Sequence, residues 1–266
     1  MIDTSTNFER KWTTGIIGIE VEYPVSTEEL SETLSSYGYD VRDVGYTHDT
    51  YGRTVVKHDS SCGADGEAGS ELVTSPTDVA SLRTSAFRYM FEELGCDEVS
   101  DRWDVANRHY GSCGIHVHVG VTGSATSNLT RGRLDRVWRA YDARWDSVLK
   151  FVGPGRDPYQ SSFAQRYCGR YLAMGDKYGA VNASPLLSGR QSTVEFRQLG
   201  HRTDTTGALR TWAEVWEWAV FCDLLTESVA HIPGWIVEAR THLYGEKNPY
   251  GGEWSGFWTR PEAVLP

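Results

Sequence analysis

Three short stretches of this 266-residue chain place two charged or titratable side chains two positions apart: two carboxylates, two imidazoles, and a carboxylate with a guanidinium. In Ile17-Gly18-Ile19-Glu20-Val21-Glu22-Tyr23 the odd positions are apolar, so the pleat of a strand puts Glu20 and Glu22 together on the opposite face. In Gly114-Ile115-His116-Val117-His118-Val119-Gly120-Val121 the aliphatic residues take one face and leave the other to His116 and His118. In Thr193-Val194-Glu195-Phe196-Arg197 the charged pair again lies opposite the apolar pair. Residues i and i+2 of a strand stand roughly 7 Å apart, which lets neighbouring carboxylates serve two ions ~4 Å apart, or bind one ion and brace another. Oxygen-rich donor sets with few nitrogens favour Mg²⁺ or Mn²⁺ over zinc.

Each motif also has an ordinary reading. Glu-x-Glu can be a solvated strand face, His-x-His a structural pair, and Glu195 with Arg197 an exposed ion pair worth at most ~1 kcal/mol. Their common design, with every functional face opposite an apolar one, argues for a shared site. Lys57, Arg166, Arg170, Arg197 and Arg202 accompany the acidic residues. Carboxylate-held divalent ions together with guanidinium groups are what a nucleoside triphosphate requires. The chain has neither a Walker lysine loop nor a kinase-type glycine loop, so an ATP site here must be of another kind.

The elements that must position these residues are legible in outline. Leu134, Val137, Trp138, Tyr141, Trp145, Val148 and Leu149 keep a helical period and predict one amphipathic helix. A second helix is expected after the Ser75-Pro76-Thr77-Asp78 cap sequence, through Leu82, Ala86, Met90 and Leu94 to Gly95. A third opens near Thr203-Asp204-Thr205 and runs through Trp212, Trp216 and Leu224 to a stop before Pro233, and a shorter one spans Thr27 to Tyr37. Arg53 to Asp59 and Gly69 to Ser75 read as two strands joined by a turn-rich hairpin sequence. Strands and helices do not alternate regularly, which predicts an α+β fold with a mainly antiparallel sheet. Residues 1–242 are expected to form one domain, and 243–266, rich in Gly, Pro and aromatics, a packed extension or flap. The loop Val152 to Tyr159 is a second lid candidate.

Composition sets the outer bounds. The chain carries 36 Asp+Glu against 26 Lys+Arg, a formal charge of −10, which repels a polyphosphate backbone and disfavours general nucleic-acid binding. No apolar run reaches the ~18 residues of a membrane span, and Met1 to Trp12 has no apolar core of the signal-peptide kind, so a soluble cytoplasmic protein is expected. Cys62, Cys96, Cys113, Cys168 and Cys222 show no paired metal spacing and read as reduced thiols. Ten Trp and 14 Tyr serve either core packing or a stacking platform.

The ordered set GIEVE (18 to 22), KHDSS (57 to 61), GSELVTSP (69 to 76), CGIHVHVG (113 to 120), VNASP (181 to 185) and TVEFRQ (193 to 198) resembles the amidoligase family, relatives of glutamine synthetase and glutamate-cysteine ligase. The resemblance covers about Gly15 to Thr206. It implies a curved antiparallel sheet with helices packed on one face, and ATP-dependent amide or isopeptide formation through an acyl phosphate, with Mg²⁺ or Mn²⁺. By the same resemblance Glu20 and Glu22 are metal ligands of the first strand, Glu71 and Asp59 are middle acidic ligands with Glu67 as an alternative, and His116 is the metal imidazole. His118 would face the nucleotide phosphates, Glu195 is the final metal carboxylate, and Arg197 clamps substrate or phosphate. Lys57, Arg166, Arg170, Asn182 and Arg202 are expected as nucleotide contacts. Small-molecule or peptide carboxylates and amines are the implied substrates. A metal-dependent hydrolase and a non-catalytic binding protein with Trp-rich helices as its interface are the competing readings.

Overall fold

A computed structural model describes residues 15–47, 52–62, 68–95, 113–121, 128–152, 179–201 and 210–227. Among the described residues seven strands form one open mixed sheet: β1 (Ile17–Tyr23), β2 (Arg42–Asp43), β3 (Val55–Asp59), β4 (Gly69–Val73), β5 (Gly114–Gly120), β6 (Val181–Asn182) and β7 (Thr193–Gly200). Their spatial order is β2-β3-β4-β1-β5-β7-β6. The β2–β3 pairing is parallel and the other five are antiparallel, so the α+β, mainly antiparallel expectation holds. The two-residue strands β2 and β6 are too short to show a period in the sequence.

One face of the sheet is the core. Ile17, Ile19 and Val21 of β1, Ile115, Val117 and Val119 of β5, and Val194 and Phe196 of β7 are wholly buried. Helices cover them: α1 (Thr27–Ser36), α2 (Val79–Leu82), α3 (Ala86–Leu94), α4 (Asn128–Asp142), α5 (Trp145–Val152), α6 (Ser184–Leu187) and α7 (Trp212–Glu227). Tyr141 of α4 packs its ring 5.8 Å from that of Phe196, and Trp216 of α7 donates its indole N–H to the Val79 carbonyl at 3.1 Å.

Two expected helices are each divided. Trp138, Tyr141, Trp145 and Val148 continue one buried stripe, yet α4 and α5 are separated at Ala143 and Arg144, where the Arg144 guanidinium caps the Ala140 carbonyl at 2.9 Å. That side-chain donor replaces the helical bond lost at the break. The helix starting at Asp78 is interrupted at 83–85 because Ser85 takes extended backbone angles and turns its hydroxyl to the Leu82 carbonyl. Asp78 itself caps as expected, accepting from the Ser81 amide at 2.8 Å. For the third helix, residues 203–209 and those beyond Glu227 lie outside the described residues, as do 153–159 and the 243–266 extension. Thr211 opens α7 with a reciprocal cap: its amide donates to the Glu214 carboxylate at 2.7 Å, and the Glu214 amide to the Thr211 hydroxyl at 3.4 Å.

α7 has no solvent face between Val215 and Cys222, where every residue is buried. Among the described residues, no helix is long and apolar enough to cross a membrane.

Candidate functional site

The face of the sheet opposite the core collects the chemistry, and the register of pairing does the placing. Glu22 lies opposite Glu71, which lies opposite Lys57, so these three form a row across β1, β4 and β3. Glu20 lies opposite His116, while His118 lies opposite Glu195 and Glu195 opposite Asn182. A one-residue slip would send every one of these side chains to the core, so the apolar alternation of β1 and β5 fixes the site as firmly as it fixes the fold.

Strand β7 departs from simple alternation. Between the pairs Val117–Phe196 and Ile115–Leu199 it holds one residue more than β5, a β-bulge. Arg197 reaches Glu195 on the site face and Gln198 accepts a hydrogen bond from the Tyr141 hydroxyl in the core, both as alternation requires, while the extra residue keeps Leu199 on the core side as well.

Two groups of donor atoms result. Glu20, His118 and Glu195 bring one ligand atom each within 4.8 Å of one another, and so do Glu22, Asp59 and Glu71. His116 stands between the groups: its Nδ1 is 3.3 Å from Glu195 Oε1 and 3.8 Å from Glu20 Oε2, while its Nε2 is 3.5 Å from Glu22 Oε1. His118 Nε2 lies 3.2 Å from Glu20 Oε2, and its Nδ1 sits 3.4 Å from the Thr193 hydroxyl. The family resemblance implies His116 as the metal imidazole and His118 as the phosphate contact; the geometry puts His118 in the first group and gives His116 a nitrogen toward each.

Neighbouring groups hold the carboxylates in place. Asn182 donates to Glu195 Oε2 at 2.6 Å and accepts from the Ser184 amide at 2.8 Å, tying the carboxylate to the start of α6. The Ser61 hydroxyl and amide both bond Asp59, the Gly114 amide donates to Glu22, and His201 reaches the Glu22 backbone carbonyl. Asn182 thus touches Glu195, where the sequence reading expected a nucleotide contact. Ser61, Thr193 and His201 were not anticipated. Ser61 follows Asp59 in a turn-forming Asp-Ser-Ser run that could have shown it, but nothing local marks His201.

The electrostatics are those of a site short of positive charge. Burial opposes ionisation of Glu20, but the His118 imidazolium, hydrogen bonds from His116 and His118, and the Lys57 ammonium outweigh it and hold the carboxyl well below its ordinary range. Burial likewise opposes Glu195, and Arg197, His118 and His116 bring it down. Glu71 goes the other way: burial and the charges of Glu20, Glu22 and Asp59 push it well above the carboxylate range, against the pull of Lys57. The buried His116 Nε2 has no hydrogen-bond partner among the described residues although a carboxylate oxygen is 3.5 Å away. A divalent cation among these oxygens and nitrogens would supply both the missing charge and the missing partner.

No family model and no curated protein matches this chain. Of the expected site residues, Glu20, Glu22, Lys57, Asp59, Glu71, His116, His118, Asn182, Glu195 and Arg197 share the one face; Glu67, Arg166, Arg170 and Arg202 lie outside the described residues.

Proposed function

We propose that the chain is an ATP- and Mg²⁺-dependent carboxylate-amine ligase of the amidoligase type, its sheet a curved, glutamine synthetase-like catalytic domain. The observation that carries this reading is the pair of three-residue donor groups on one sheet face with His116 between them. Glu20, His118 and Glu195 would hold one Mg²⁺ or Mn²⁺, and Glu22, Asp59 and Glu71 another, with His116 serving either. Ions held by these residues would supply positive charge against phosphate oxygens during transfer.

The chain's own residues have distinct tasks. Asn182 and Arg197 fix Glu195 from two sides, and Thr193 turns the His118 ring so that Nε2 faces Glu20. The core face of the sheet supplies rigidity, so the donors are set in place before substrate arrives. A substrate carboxylate oxygen attacks the γ-phosphorus and ADP leaves; an amine then attacks the acyl carbon and phosphate leaves. Phosphorylation is needed because a free carboxylate is a poor electrophile, and burial of the site residues limits competition from water.

Hydroxylamine tests the reading, since it replaces the amine once a carboxylate is activated. With a panel of amino-acid and peptide carboxylates, ATP and Mg²⁺, the expected products are a hydroxamate, ADP and phosphate in equal amounts. AMP with pyrophosphate would contradict the acyl phosphate, and substrate breakdown without nucleotide consumption would favour a metal-dependent hydrolase.

A further inference from the structure

The donor face carries one lysine and one arginine among the described residues, Lys57 and Arg197, and they are differently committed. The Arg197 guanidinium is held by Glu195. Lys57, at the β3 end of the row, is 5% exposed, and among the described residues its ammonium has no carboxylate within 4.0 Å and no hydrogen bond. It faces the acidic residues nonetheless: it lies opposite Glu71 in the register, and its charge acts on both Glu71 and Glu20. An ammonium set among carboxylates but held by none of them, on a side chain that is otherwise buried, is left to pair with an arriving anion. Lysine also suits the task chemically, being a compact point charge with three donors.

We propose that Lys57, and not Arg197, is the residue that receives the oxyanion of an incoming ligand: a phosphate oxygen of the nucleotide or the carboxylate of the substrate. This rests on the ligase reading for the ligand's identity, while the binding site itself stands on an ammonium that faces the acidic row and is held by no carboxylate among the described residues. Arg197 then positions Glu195.

The test uses the full chain saturated with Mg²⁺, titrated by calorimetry with inorganic phosphate and with acetate, neither of which requires turnover. Lys57→Met should weaken binding of the recognised anion by about tenfold or more, the scale of one charge-assisted hydrogen bond. Lys57→Arg should retain most of the binding. Mg²⁺ affinity should be unchanged or tighter in Lys57→Met, because the variant removes a positive charge beside the metal donors. Loss confined to phosphate assigns the nucleotide, and loss confined to acetate assigns the substrate carboxylate. Wild-type anion affinity in Lys57→Met, or wild-type protein that binds neither anion, would overturn the proposal. So would a joint fall in thermal stability and Mg²⁺ affinity in Lys57→Met, which is the mark of a structural lysine. Failure of the ligase reading would leave these anion titrations intact and show instead as no ADP release.

Discussion

At Glu71 the competition between burial and charge has a measurable sign. Its folded pKa lies well above the ordinary 4.5, so over the window above about 4.5 the folded chain keeps a proton that the unfolded chain has released. The metal-free protein therefore loses stability as pH rises through that window. His118 acts in the same direction: burial lowers its pKa but Glu20 and Glu195 raise it further, so its contribution is complete below about 6.5 and fades as pH passes its folded value. In chelator, the melting temperature should fall from about pH 5 to about pH 8, and Glu71→Gln should flatten that fall. Identical slopes for wild type and variant would contradict the crowding of carboxylates around Glu71. The imidazoles differ in reach. His116→Ala should weaken both of two Mn²⁺ equivalents in a binding titration, and His118→Ala chiefly one. If removing His116 costs a single equivalent, its place between the groups is misread.

Among the elements, β1 and β5 showed their polar faces openly in the sequence, because strict alternation separates the aliphatics from Glu20, Glu22, His116 and His118. β7 did so only as far as Gln198, since the bulge keeps Leu199 on the core side where alternation would turn it to the site, and no local pattern announces an extra residue. The breaks at 83–85 and 143–144 were hidden for a related reason: the apolar stripe runs on across each, and the stop is made by side chains, Ser85 and Arg144, that bond the backbone. Thr211 and Glu214 are a capping pair readable as Thr-x-x-Glu, whereas the apolar period alone places the helix start near Thr203, outside the described residues. The bulge lends itself to test through its core partner. Tyr141→Phe leaves the buried Gln198 Oε1 without its donor and should lower stability by about 1–3 kcal/mol in chemical denaturation. Through Gln198 it should also loosen Arg197 and Glu195, reducing Mn²⁺ affinity at the group that contains Glu195. A stability loss with unaltered Mn²⁺ binding would separate the bulge from the site.

Among the described residues, the buried tryptophans of α7 and the carboxylates of the two donor groups lie on opposite sides of one sheet. Trp212, Trp216 and Trp218 are buried, so α7 serves as a core element and offers no tryptophan surface of the kind a binding-protein reading needs. The five carboxylates of the two donor groups lie on the other face, and they explain why a triphosphate should not bind there without metal: the bare site repels it. Coupling between nucleotide and metal is thus the central claim, and stability reports it because a ligand raises the melting temperature only if it binds the native state. The measurement is the thermal shift of the full chain with a non-hydrolysable ATP analogue, in Mg²⁺ and in chelator. Saturation at about a hundred times Kd should add about 2.7 kcal/mol of stability in Mg²⁺ beyond that of Mg²⁺ alone, and nothing in chelator. An equal shift in chelator, or no shift at saturating Mg²⁺, would contradict the account.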